Sequence, residues 1–253
     1  MPLFFFCSGY FFDASRYGCK AMIIKRIKRI YFPYIKWALP FLFLHGLFFD
    51  IGFYNSSYGY NGHGFVQYSN LDYIKRFVLI VFTMDKHEPL LGGFWFMKTL
   101  FLSSVIVILL TYIFRKIRVS SYILVTLFLV LLLLSKFYQT SIPYLGDISI
   151  IIMGCLFYYT GSLYKRFEYR VLYNCPILIT IGSVLICFSF FYHDMSMFCM
   201  FQDCIIYLIV AYIGIILVFG VSFWLDKIRI KCVFYNIGKQ TLQILALHFL
   251  AFN

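Results

Sequence analysis

Residues 94–118 read FWFMKTLFLSSVIVILLTYIFRKIR, an apolar run closed by three cations, Arg115, Lys116 and Arg118. A helix needs about 20 predominantly apolar residues to cross the hydrocarbon core of a bilayer. The apolar part of this stretch, 94–114, meets that length. A membrane β-barrel would instead show strands of ~10 residues with alternating character, and this run is continuous. It predicts a membrane-spanning α-helix followed by a basic connection.

The same reading, extended outward, predicts spans at 1–12, 31–49, 120–134, 143–163, 176–192, 204–224 and 241–253. A shorter segment, 71–82, reads as a half-helix or an interfacial helix. With 94–114 this makes eight spans, so the expected fold is all-α, a polytopic transmembrane helical bundle. Composition agrees. Hydrophobic residues make up 62% of the chain and charged residues 13%, against about 45–50% and about 25% in soluble domains. Thirty-two Phe and 22 Tyr exclude a disordered chain, because that much aromatic surface does not stay solvated. The eight Cys are scattered, with no CxxC and no Cys/His cluster, so they read as small buried hydrophobes rather than as a metal site or a disulfide scaffold.

Charge orders the spans. Seventeen of the 22 Lys and Arg fall in the gaps after the first, third, fifth and seventh spans or, as Lys36, at an adjoining span end. The other gaps hold Lys75, Arg76, Lys86, Lys98 and Lys136, together with seven of the ten acids. Cytoplasmic loops carry the excess of Lys and Arg, so the four basic gaps are read as cytoplasmic and the chain as a multi-pass protein of the inner or plasma membrane. The net charge of +12 is thereby absorbed by the bilayer, and no nucleic-acid partner is expected. The longest outer connection, 50–93, is rich in Gly, Tyr and Asn; long connections of this kind are usually functional. The segment 1–12 is short for a span and begins on the outer side, and 241–253 stops within the membrane, so the chain reads as a piece lacking at least one span at its front.

Four patterns in this order carry a resemblance: MPLFFFCSGYFF at 1–12, KRIKRIYFPY at 25–34, GGFWFMKTLF at 92–101 and IGKQTLQILALH at 237–248. Together they resemble the integral-membrane acyltransferase family 3, whose members O-acylate sugars and cell-envelope glycans. The resemblance covers nearly the whole chain. It implies about ten spans in one membrane-embedded acyltransferase domain, here 1–253, incomplete at both ends. It also implies acyl-CoA as donor substrate with no cofactor, a carbohydrate acceptor, and most often an acetyl group. In the family the catalytic His lies on a helix ahead of the first pattern, so the resemblance assigns no catalytic base to any residue of this chain.

Candidate site residues follow from both readings. Arg26 and Arg29 are three apart, which places them on one helix face, and Lys25 completes a cationic patch at the cytoplasmic boundary. Arginine forks bind phosphate oxygens bidentately, and the resemblance links this Arg-x-x-Arg feature to acyl-CoA; plain anchoring to anionic lipid is the alternative. Lys20 and Lys28 are read as anchors. His248 is an ionisable residue within a span, hence a functional candidate, or else a neutral His bonded to a neighbouring helix. Trp95 stands at the outer start of its span, as a belt aromatic or, by the resemblance, as a site-lining residue. His63, His87 and His193 fall in outer loops without a role, and His45 lies in the outer half of a span. Ser8-Gly9 is read as close helix packing rather than a nucleophile, for want of a Gly-x-Ser-x-Gly elbow. Asp147, near the outer end of its span, is read as a helix N-terminal cap or as a residue orienting a substrate hydroxyl. The competing functions are a transporter or flippase for lipid-linked sugars and an inactive fragment of the acyltransferase.

Overall fold

The computed structural model describes residues 1–14, 17–52, 67–84, 93–118, 120–139, 141–142, 145–165, 174–192, 196–227 and 238. All regular structure among them is helical: α1 (Pro2–Tyr10), α2 (Cys19–Arg26), a π turn (Ile27–Tyr31), α3 (Phe32–Asp50), α4 (Asn70–Thr83), α5 (Trp95–Lys116), α6 (Ser121–Tyr138), α7 (Leu145–Tyr164), α8 (Cys175–Phe191) and α9 (Phe201–Lys227). The run that opened the sequence reading is α5, and its basic tail closes the helix in its last turn. The predicted span 241–253 lies outside the described residues.

Among the described residues, five stretches are long and apolar enough to cross a membrane: Cys19–Asp50, Trp95–Lys116, Ser121–Tyr138, Leu145–Tyr164 and Phe201–Asp226. Helix α8 is apolar and 17 residues long, about 25 Å at 1.5 Å per residue. Helix α1 has nine residues, about half of what a crossing needs. The 13–30 gap of the sequence reading is a gap only to residue 18. From Cys19 the chain is helical without interruption to Asp50, 32 residues in all, because the basic run 25–29 contains good helix formers and no breaker.

The chain divides into two compact units, Met1–Met22 with Leu102–Phe234, and Ile23–Phe101 with Tyr235–Asn253. In the first, α7 is central: Met153, Phe157 and Tyr158 are fully buried. Helix α1 lies directly on it. A Cβ at Gly9 would fall on the Tyr158 carbonyl, and one at Gly161 on the Phe6 carbonyl. Small residues let membrane helices approach backbone to backbone, which is the packing role read for Ser8-Gly9. Phe6 fills the space beyond, its ring 5.5–6.4 Å from those of Tyr164, Tyr212 and Phe219. Two polar links tie α7 to its neighbours: Ser103 Oγ donates to the Ile151 carbonyl at 3.0 Å, and the Thr160 and Tyr212 hydroxyls pair at 2.9 Å. Such bonds average only about 0.6 kcal/mol in membrane bundles, so close packing carries most of the association.

In the second unit, α4 packs on α3. The Tyr31 hydroxyl donates to the Val81 carbonyl at 2.6 Å, and His45 stacks on Tyr68 with ring centroids 3.5 Å apart; these two anchors make the pair antiparallel. Ser69 and Asp72 form a reciprocal capping box that starts α4. Leu71, Ile74, Val78 and Phe82 are exposed on α4, an apolar stripe at helical spacing on a helix too short to cross. That is the interfacial or half-helix expected for 71–82.

Candidate functional site

The cationic run lies on the continuous helix Cys19–Asp50. Lys25 and Arg26 close α2, whereas Lys28 and Arg29 sit within the π turn. Lys25 and Arg26 are half-buried and Lys28 and Arg29 exposed, with Ile30 buried between the run and α3. In an α-helix, residues three apart are separated by about 60° around the axis. A π turn winds fewer degrees per residue, so Arg29 is swung further from Arg26 than the α-helical reading assumes. Single π turns within α-helices occur frequently at functional sites.

Trp95 opens α5 and is half-buried, its ring edge-on to Phe96 at 6.4 Å. The neighbouring Phe94 ring lies 5.8 Å from that of Tyr34, and Phe101 lies 6.1 Å from Tyr31. The first two turns of α5 therefore run beside the segment that directly follows the cations. Arg29 precedes Tyr34 by five residues, about 7.5 Å along a helix axis. The sequence layout places Arg26 and Arg29 at the cytoplasmic boundary and Trp95 at the outer one, ~30 Å apart. The structure corrects this: the two features stand at adjacent levels. The physical reason is that the basic run belongs to the interior of a 32-residue helix rather than to the connection preceding a span.

The histidines divide unevenly. His248, His63, His87 and His193 lie outside the described residues. His45 is fully buried on α3, stacked nearly parallel, at 5°, on Tyr68. Arg76 lies over the same tyrosine ring at 4.1 Å, and its attraction to the ring face fixes Tyr68 against the histidine. The signal that points to His45 in the sequence is its place inside an apolar run. Asp147 sits in the first turn of α7 and is exposed.

A second polar feature is absent from the sequence reading. Lys136, counted as an outer-gap cation, is 2% exposed. Its ammonium donates to the Cys199 carbonyl at 2.6 Å and to the Met197 carbonyl at 3.3 Å. The Cys199 thiol is lowered to about 7, first by its hydrogen bond with the Cys204 thiol and then by the charge on Lys136. Long basic side chains bury their stems and carry the head to a polar partner; here the partner is a backbone loop that sequence alone does not place. No group of three or more His, Cys, Asp or Glu that could hold a metal occurs among the described residues.

A family model described as "Acyltransferase domain" matches residues 1–253. No curated protein and no solved structure matches the chain.

Proposed function

The chain belongs to the acyltransferase domain family that matches it from end to end, and from that premise we propose that it is a membrane O-acyltransferase moving an acyl group, an acetyl group in the first instance, from acyl-CoA to a sugar hydroxyl of a cell-envelope glycan at the inner or plasma membrane. The hydroxyl oxygen attacks the thioester carbonyl carbon, a general base takes the hydroxyl proton, and the C–S bond breaks to release CoA as a thiol. Because the thioester is already activated, the protein needs a base, donors for the oxyanion and a clamp for the donor's phosphates. Lys25, Arg26 and Arg29 are assigned the clamp, Trp95 a wall of the site, and His248 a place near it. Acyl-CoA is a substrate in this scheme rather than a bound cofactor.

The observation that carries this reading is the alignment of α5 with the segment 31–34. It sets Trp95 close along the helix to the cations, whereas a purely lipid-anchoring patch would have no reason to lie beside the start of another helix. The test is transfer from radiolabelled acetyl-CoA to a panel of envelope glycans in membranes carrying the protein. Arg26→Ala and Arg29→Ala should each raise the KM for acetyl-CoA, the half-buried Arg26 more than the exposed Arg29, because water screens an exposed charge contact. Arg29→Lys should recover part of the loss, because lysine keeps the charge but lacks the planar fork. Normal acetyl-CoA kinetics in both alanine variants at normal yield would reduce the patch to a lipid anchor.

A further inference from the structure

The unit that does not contain Arg26 and Arg29 holds a cavity of about 330 Å³ where the C-terminal ends of α1, α5 and α7 meet the N-terminal end of α6. Its polar wall is made by Asp13, Thr111, Arg115, Ser121, Ser162 and Lys165; Phe114 and Leu124 belong to its apolar wall. The volume is at the lower end of the ~300–1,000 Å³ typical of small-ligand pockets.

Three observations give this cavity one chemical preference. First, Arg115 and Lys165 both line it, and neither has an ion-pair partner among the described residues; with the Asp13 carboxylate in the same wall, the lining keeps one positive charge in excess. Second, the Thr111 hydroxyl is buried with no hydrogen-bond partner among the described residues. A hydroxyl in a helix ordinarily bonds back to the preceding turn, as Thr99 and Thr160 do here. An unpaired buried hydroxyl is unfavourable; the oxygen itself is covered, and a turn about χ1 would bring it to a ligand oxygen in the cavity that Thr111 lines. Third, Ser121 is the first residue of the 18-residue α6, whose N-cap Ser120 makes no side-chain cap. Free N–H groups and the positive end of the helix dipole therefore face the same region. Cations, a hydroxyl donor and a helix N-terminus together match a tetrahedral oxyanion with several acceptor oxygens. A carboxylate would leave most of these donors idle, and an uncharged ligand would leave the cations unmatched.

We propose that this cavity binds a phosphate group, with Arg115 and Lys165 as its cationic partners and the Thr111 hydroxyl and the first N–H groups of α6 as neutral donors; the Ser162 hydroxyl is already given to the Tyr159 carbonyl at 2.7 Å. The phosphate can come from a soluble nucleotide such as a coenzyme A or from an anionic lipid headgroup. The inference concerns the cavity itself and does not rest on the role given to Arg26 and Arg29.

The test places a reporter thiol at the mouth. Ser121→Cys protein is reconstituted in phosphatidylcholine nanodiscs, and alkylation of the thiol at position 121 is followed by mass spectrometry of its peptide. Pyrophosphate or coenzyme A should slow alkylation at least threefold, with pantetheine, which lacks the diphosphate, inactive. Protection seen only when phosphatidylglycerol replaces phosphatidylcholine would assign the phosphate to lipid. Arg115→Gln combined with Lys165→Gln should abolish protection by either source, and Thr111→Val, nearly isosteric, should weaken it. Ser162→Cys provides a second reporter should the first variant fold poorly. Alkylation indifferent to pyrophosphate, coenzyme A and anionic lipid at both reporters overturns the proposal, as does protection that survives loss of both cations.

Discussion

The Cys199 thiol has a chemistry that its sequence neighbours do not suggest. Its thiol shares a hydrogen bond with Cys204, and Lys136, itself held by two carbonyls of the same loop, adds a positive charge; together these lower it from 9.0 to about 7. A thiol of ordinary value is only about 1% thiolate at neutral pH, and reactivity follows the thiolate. Alkylation of Cys199 should therefore rise with a midpoint near 7. Cys204→Ala removes the larger cause and should move that midpoint up toward 9.0. Lys136→Met should move it in the same direction by less. A midpoint unchanged in Cys204→Ala would show that the thiol pair is not the cause. None of this was legible in the sequence, where Lys136, Cys199 and Cys204 are a span-end cation and two scattered cysteines. The coupling arises because a loop 61–63 residues downstream brings its carbonyls to the lysine.

At the scale of elements, glycines separate contact from decoration. Gly9 and Gly161 sit where α1 and α7 touch through their backbones, and a Cβ at either would collide with a carbonyl, which cannot move aside as a side chain can. Gly214, within α9, has nothing within 4 Å of the same position. Gly9→Ala and Gly161→Ala should each lower the thermal unfolding midpoint in detergent, by an overpacking cost of about 1–3 kcal/mol. Gly214→Ala should be neutral or stabilising, by up to about 1 kcal/mol, because alanine is the better helix former. Equal effects at all three positions would remove the α1–α7 contact as the explanation. Helix α4 responds to pH instead. Its Asp72 carboxylate accepts from the Ser69 hydroxyl and backbone N–H and is held below the ordinary 3.8. A depressed carboxylate supports the folded helix fully above its unfolded value and loses that support as the pH falls through the folded one. Amide protection factors, taken relative to the intrinsic exchange rate at each pH, should fall at the start of α4 below pH ~4 in the wild type, and Ser69→Ala should show reduced protection already at neutral pH. Helix existence was readable from apolar length. The start of the Cys19–Asp50 helix was not, because a run of lysines and arginines looks the same whether it is a loop or a helix. Nor was the level of Trp95, which depends on which neighbour α5 chooses. For His248 the described residues carry no geometry, so its role stays with the family resemblance.

For the whole chain, the decisive question is which end of each helix faces the cytoplasm, and the unit built from Met1–Met22 and Leu102–Phe234 lets it be asked without reference to the other. Charge alone sorts its connections into two sets. Packing sorts them the same way: Asp13, Arg115, Ser121 and Lys165 surround one cavity, whereas Lys136 is bonded to the Met197–Cys199 loop. The first set belongs to the basic gaps after α1, α5 and α7, the second to the gaps after α6 and α8. Two independent criteria, counting of cations and meeting of helix ends, therefore agree on parity, and parity leaves a single binary choice. The excess of Lys and Arg makes that choice, because translocating them is what the positive-inside bias opposes. Cys19, at the start of α2 after the first basic gap, should then react with a membrane-impermeant maleimide only after cells are permeabilised, and Cys199 should react from outside intact cells, each in a variant retaining that cysteine alone. Labelling of Cys199 only after permeabilisation, with Cys19 reactive from outside, would invert the unit and place the cavity of Arg115 and Lys165 on the outer face. Reactivity of both from one side would mean that one of the segments between them, Cys19–Asp50, α5, α6, α7 or the 17-residue α8, does not cross.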